Sequence, residues 1–167
     1  MHQFITSAAA MLAFTTPAVV DVCAPSTKVA DYLKTQPGWE IESIADLAPD
    51  DQSLWQKYHP DTCPGLAHAD LHGNGDTSYA LVLEKNKQTR LIILLNDHGK
   101  LQQTLVGSGP TKSRYVVHSA MPGTTYEFET RKRYDLKQQS FVFEIMEASA
   151  EQYYWQDGKL NLVLITD

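Results

Sequence analysis

From residue 66 onward, apolar side chains recur at every second position and turn residues interrupt the pattern at short intervals. This period-two rhythm predicts strands over 79–84, 90–95, 100–106, 114–119, 124–132, 140–146, 151–155 and 160–165. Asn86-Lys87, Asp97-His98-Gly99 and Gln156-Asp157-Gly158 supply the short turns between them. Strands joined so tightly must run antiparallel, and no stretch after residue 66 leaves room for a crossover helix. Gly107-Ser108-Gly109-Pro110 reads as a longer loop between two halves of the sheet.

The first third of the chain has a different period. Ser26-Thr27 caps a short helix over 28–33, in which Val29, Tyr32 and Leu33 share one face before Pro37-Gly38 stops it. Residues 39–44 alternate as a first strand. A second helix spans 46–58, with Pro49 in its first turn, Asp50 and Asp51 near its positive end, and Leu54, Trp55 and Tyr58 as its buried stripe. The predicted class is α+β: two short N-terminal helices packed on a long antiparallel β-meander.

Residues 1–20 contain no Asp, Glu, Lys or Arg, and the run from Phe4 to Phe14 is too short to span a bilayer. It fits the apolar region of a signal peptide over 1–18, cleaved after Ala18, leaving one domain over 19–167 with no stable membrane insertion. Cys23 and Cys63 are the only cysteines. In an exported chain two cysteines are read as a disulfide, here closing a loop of about 41 residues between the mature N-terminus and the Cys63-Pro64-Gly65 turn. The predicted location is periplasmic or secreted.

With 43% hydrophobic and 20% charged residues, the composition is that of a globular fold, and the formal net charge is -6. That balance argues against a nucleic-acid partner, since phosphates are held by clustered cations. The one basic cluster, Arg131-Lys132-Arg133, is flanked by Glu127, Glu129 and Asp135.

The sharpest motif is Asp70-Leu71-His72-Gly73-Asn74-Gly75-Asp76, with Ser78 two residues later. Asp70, Asn74, Asp76 and Ser78 occupy alternate positions around a glycine turn, as the oxygen donors of calcium loops do. The segment resembles the Asp-rich loop of FG-GAP or VCBS-type repeats, which implies calcium. It departs from that pattern where His72 replaces an oxygen donor and Leu81 stands where an acidic residue would close the site. His68, Asp70 and His72 also alternate, a spacing open to zinc or copper with Asp76 or His98 completing the set. Asp70, His72, Asn74 and Asp76 are thus candidate metal ligands, against the alternative of a plain strand-entry turn. Tyr153, Tyr154 and Trp155 are a candidate binding surface, because consecutive aromatics on a strand must divide between its faces, against the alternative that the sheet core covers one face and an N-terminal helix the other.

Nucleophile signatures are poor. Gly107-Ser108-Gly109 lacks the strand-to-helix elbow of a hydrolase serine, and His118 lies among Val116, Val117 and Ala120. A hydrolase would have to use His118 or His98. Four elements together resemble a group of uncharacterised exported bacterial proteins: Asp50-Asp51-Gln52 with Trp55, Cys63-Pro64-Gly65, Ser78-Tyr79-Ala80-Leu81, and Tyr153-Tyr154-Trp155 with Gly158-Lys159. The expected function is a non-enzymatic periplasmic binding protein without a cofactor, such as an inhibitor or immunity protein facing a basic toxin or hydrolase. The alternative is a calcium- or zinc-binding exported module built on residues 68–78.

Overall fold

The computed structural model describes residues 21–110 and 115–165. The expected signal peptide, and Arg114 at the start of one expected strand, lie outside the described residues. Helix α1 (Thr27–Lys34) begins where the Ser26 hydroxyl accepts the Val29 N–H at 3.4 Å. Strand β1 is only Glu40–Ile41, followed by a 3₁₀ turn over Ile44–Asp46. The expected strand over 39–44 is cut short because Asp46 turns back on Ser43, taking its N–H at 2.8 Å and its hydroxyl at 2.7 Å. With Asp46 used there, α2 (Pro49–Tyr58) starts later than expected, at the proline.

Ten further strands follow: β2 (Leu66–Ala69), β3 (Ser78–Lys85), β4 (Gln88–Asp97), β5 (Lys100–Pro110) and β6 (Tyr115–Ala120). The remaining five are β7 (Gly123–Tyr126), β8 (Arg133–Leu136), β9 (Ser140–Ile145), β10 (Ser149–Gln156) and β11 (Lys159–Ile165). All pairings are antiparallel, as the short turns require. The predicted class is the observed one: two N-terminal helices, then antiparallel sheet.

The meander is divided. The first sheet has the order β1-β3-β4-β5, with β2 also on β3; the second runs β11-β10-β9-β6; β7 and β8 form a separate hairpin. Two expectations change accordingly. Residues 107–110 are not a loop: after a register shift between Leu91 and Ile92, Gly107, Ser108, Gly109 and Pro110 pair with β4 and extend β5. The expected strand over 124–132 breaks after Tyr126, where residues 127–130 turn and the Arg131 N–H bonds the Glu127 carbonyl at 3.0 Å.

The sheets pack face to face. Ala80, Val82, Leu91 and Ile93 of the first meet Val117, Phe141, Phe143 and Tyr153 of the second in one buried cluster. On the other face of the first sheet, Leu81, Leu83, Ile92 and Leu94 are covered by Val29, Tyr32 and Leu33 of α1. On the other face of the second, Trp55 of α2 buries itself with Leu47, Val116 and Met146.

Cys23 and Cys63 are bonded, with Cα atoms 4.9 Å apart. Such bonds persist in oxidising compartments outside the cytosol. The turn after Cys63 needs glycine, since a Cβ on Gly65 would stand 2.3 Å from the Glu42 carbonyl oxygen. That close approach lets Gly65 accept the Val82 N–H at 3.0 Å while Pro64 accepts the Val117 N–H at 2.7 Å, tying the two sheets together. Among the described residues no helix is long and apolar enough to cross a membrane.

Candidate binding cleft

Strand alternation decides what the outer face of the second sheet carries. His118 stands opposite Val142 and Val116 opposite Glu144, so these side chains point away from the core that takes Val117 and Phe143. Helix α2 covers one end of that face through Trp55. The β7–β8 hairpin covers the other, where Leu136 packs with Tyr154 and Val163. Between them lies a cleft of about 440 Å³, floored by His118, Val142, Glu144 and Gln152 and walled by Met121 and Thr125. Its floor is firmly built: the Gln152 side-chain amide, itself buried, donates to the buried Ser140 hydroxyl at 2.7 Å. A second hollow of about 570 Å³ continues past Glu144 and Glu147 to Tyr58 and Met146.

At the junction with α2, Trp55 stacks on His59 at 4.3 Å and His59 lies 4.5 Å from His118. The His118 Nδ1 faces the Ser119 carbonyl at 3.3 Å, so it carries the proton, because a carbonyl only accepts. Burial holds both imidazoles below their ordinary pKa, and the neighbouring His118 lowers His59 further. The two neutral imidazoles, tilted against each other, form an aromatic wall with Trp55 at neutral pH. His59 and His118 also line a smaller hollow with His68, yet among the described residues no group of three or more His, Cys, Asp or Glu is arranged to hold a metal.

The candidate ligands at 70–76 are drawn into their own backbone. One Asp70 oxygen accepts the N–H groups of Gly73 and Asn74 at 2.7 and 3.2 Å, and the other accepts that of Gly75 at 2.8 Å. Asp76 takes the Asn74 side-chain amide at 3.2 Å and the His98 N–H at 3.2 Å, while Asn74 Oδ1 takes the Asp76 N–H. In this structure the Asp70 and Asn74 side-chain oxygens close an Asx-type turn. His68 and His72 do not share a face. His68 is exposed on β2, whereas His72, beyond the end of that strand, packs edge-on against Trp155 at 4.3 Å.

The aromatic triplet is covered on both sides. Tyr153 lies in the core between the sheets and Tyr154 lies under the β7–β8 hairpin, and both are buried. Trp155 is half-buried against the same core and His72. The division of faces follows the expected alternation, and the outer side is roofed by the β7–β8 hairpin, not by an N-terminal helix.

Glu42 is a functional-looking group that the alternation over 39–44 marks only as a strand position. It is 4% exposed and its Oε2 has no hydrogen-bond partner. Burial, then the charges of Glu84, Asp46 and Asp51, pushes its pKa up to about 8. The alternation carried no signal of this, since Glu40, two residues before it, is exposed and the strand ends at Ile41. The cleft itself left no motif, since its lining comes from β6, β7, β9 and β10 at wide spacing. Comparison of the chain with protein-family models, with curated proteins and with solved structures finds no match.

Proposed function

We propose that this chain is a non-enzymatic binding protein of the periplasm or of secreted fluid, which receives part of a basic protein partner, such as a toxin or hydrolase, in the cleft over its second sheet. The observation that carries the reading is the cleft, open between α2 and the β7–β8 hairpin, with Glu144 and Glu147 at its mouth toward α2. Two further features support it. The formal net charge of -6 favours encounter with a positively charged surface. The exposed Met121, on the cleft wall, offers the adaptable apolar contact that recognition surfaces use.

The test is capture from periplasmic extract by the immobilised protein and by a Thr125→Trp variant, whose indole fills the cleft. A protein retained at low salt by the wild type, weakened at high salt and lost with Thr125→Trp is the expected result. Equal retention by both proteins, or nothing retained at low salt, overturns the reading.

A further inference from the structure

We propose that the free edge of β11 pairs antiparallel with the β11 edge of a second copy of this chain, joining two second sheets into one. The inference is independent of the cleft reading, because it uses another surface.

The sheet edges at β5 and β11 are built differently. Along β5 the edge carries Lys100, the register shift at Val106, then Gly107, Gly109 and Pro110, all devices that keep an edge from pairing. β11 also opens on a lysine, Lys159, but the segment Leu160-Asn161-Leu162-Val163-Leu164-Ile165 after it has no charge, glycine or proline. Leu162 is 50% exposed and Leu164 is 36% exposed.

The backbone polarity of that edge follows from its turn. Gln156 and Lys159 flank a two-residue turn and form a bonded pair, so Tyr154 with Asn161 and Gln152 with Val163 are bonded pairs too. Leu160, Leu162 and Leu164 therefore aim their N–H and C=O groups away from β10. The Leu164 carbonyl agrees: it accepts the Phe128 N–H at 2.9 Å. The outward groups of Leu160 and Leu162 have no partner among the described residues. The open stretch thus runs from the Asp157-Gly158 turn to the Phe128 contact.

That stretch is complementary to itself. With Leu160 opposite Leu162 of the partner copy, and the reverse, the outward groups close four backbone hydrogen bonds about a two-fold axis at Asn161. Lys159 then lies opposite the partner's Val163, so no like charges meet. The pairing ends on both sides where Phe128 sits on Leu164. Beyond Lys159 the edge carries no charge with which to select a charged foreign strand, whereas its own copy satisfies the outward groups of Leu160 and Leu162.

Sedimentation equilibrium with the full mature chain, from about 5 to about 500 µM, tests this by mass action. The mass is expected to rise toward the dimer, and the amides of Leu160 and Leu162 to exchange more slowly at the high concentration. Leu162→Pro removes an N–H that β10 does not use, so it should fold and stay monomeric. Leu162→Lys serves the same end if the proline variant does not fold, and Leu105→Lys on β5 should dimerise like the wild type. A monomer throughout the range, free exchange at both concentrations, or a dimer that survives substitution of Leu162 overturns the proposal.

Discussion

The first sheet is closed on nearly every side. Helix α1 lies over its outer face, the Cys23–Cys63 bond fastens its β1–β2 end, and its free edge is bent and glycine-rich. The second sheet shares the same core but is only partly closed. Helix α2 and the β7–β8 hairpin each cover one end of its outer face, a cleft remains between them, and β11 ends in an unguarded edge. The same chemistry of alternating strands thus gives one sheet that serves stability and one that keeps surface available. What separates them is the cover, and the two helices that supply much of it are distant in sequence from the strands they lie on.

The largest test of that contrast removes the cover of the second sheet. Trp55 is 1% exposed and makes a hydrogen bond from Nε1 to the Thr62 carbonyl at 3.1 Å. Trp55→Ala should cost about 3–5 kcal/mol in urea unfolding, because a cavity replaces the indole and its packing against the sheet disappears. A cost below about 1 kcal/mol would mean that α2 does not hold this face and that the second sheet is open by itself.

Next in size is the fastening of the first sheet. Replacing Cys23 and Cys63 together by serine should cost about 2–4 kcal/mol, measured by the same method in the absence of reductant. If the bond fastens that end of the sheet, hydrogen exchange should quicken at β1 and β2 before it quickens at β9 and β10. Uniform quickening would erase the distinction between the sheets.

The smallest effect is a flaw inside the sealed end. Below the ordinary carboxyl value of 4.5, Glu42 is protonated both folded and unfolded, and its burial carries no ionic cost. As pH rises, the unfolded chain releases the proton first, and stability falls until the folded group ionises at about 8. Glu42→Gln should therefore match the wild type near pH 4 and exceed it by about 1–3 kcal/mol near pH 9. Urea titrations at the two pH values check the sign. An equal difference at both would show that Glu42 is solvated, and that the first sheet is less sealed than its neighbour α1 suggests.

Much of this architecture was legible in the chain. The hairpins at Asn86-Lys87, His98-Gly99 and Asp157-Gly158 form where turn residues interrupt period-two runs, because such turns act locally. The disulfide was legible because two cysteines admit one intramolecular pairing. The chain is ambiguous where a local signal has two physical uses. Glycines at 107 and 109 serve a loop or a bulged edge equally well. Asp70 with Asn74 and Asp76 serves a cation or its own backbone, and in this structure their side-chain oxygens accept backbone N–H groups. The Tyr-Tyr-Trp run placed its side chains on alternate faces, yet whether a face is open depends on a hairpin well upstream in the chain.

By itself, the sequence determined most of the strands, their antiparallel sense, the two helices and the Cys23–Cys63 bond, since each follows from spacing or from the chemistry of neighbours. Only the tertiary structure decided that the meander splits into two facing sheets, that Glu42 is buried without a partner for its Oε2, that a cleft separates α2 from the β7–β8 hairpin, and that β11 is left as an open edge. Those features depend on which distant surfaces come to cover one another, and periodicity along a chain carries no record of that.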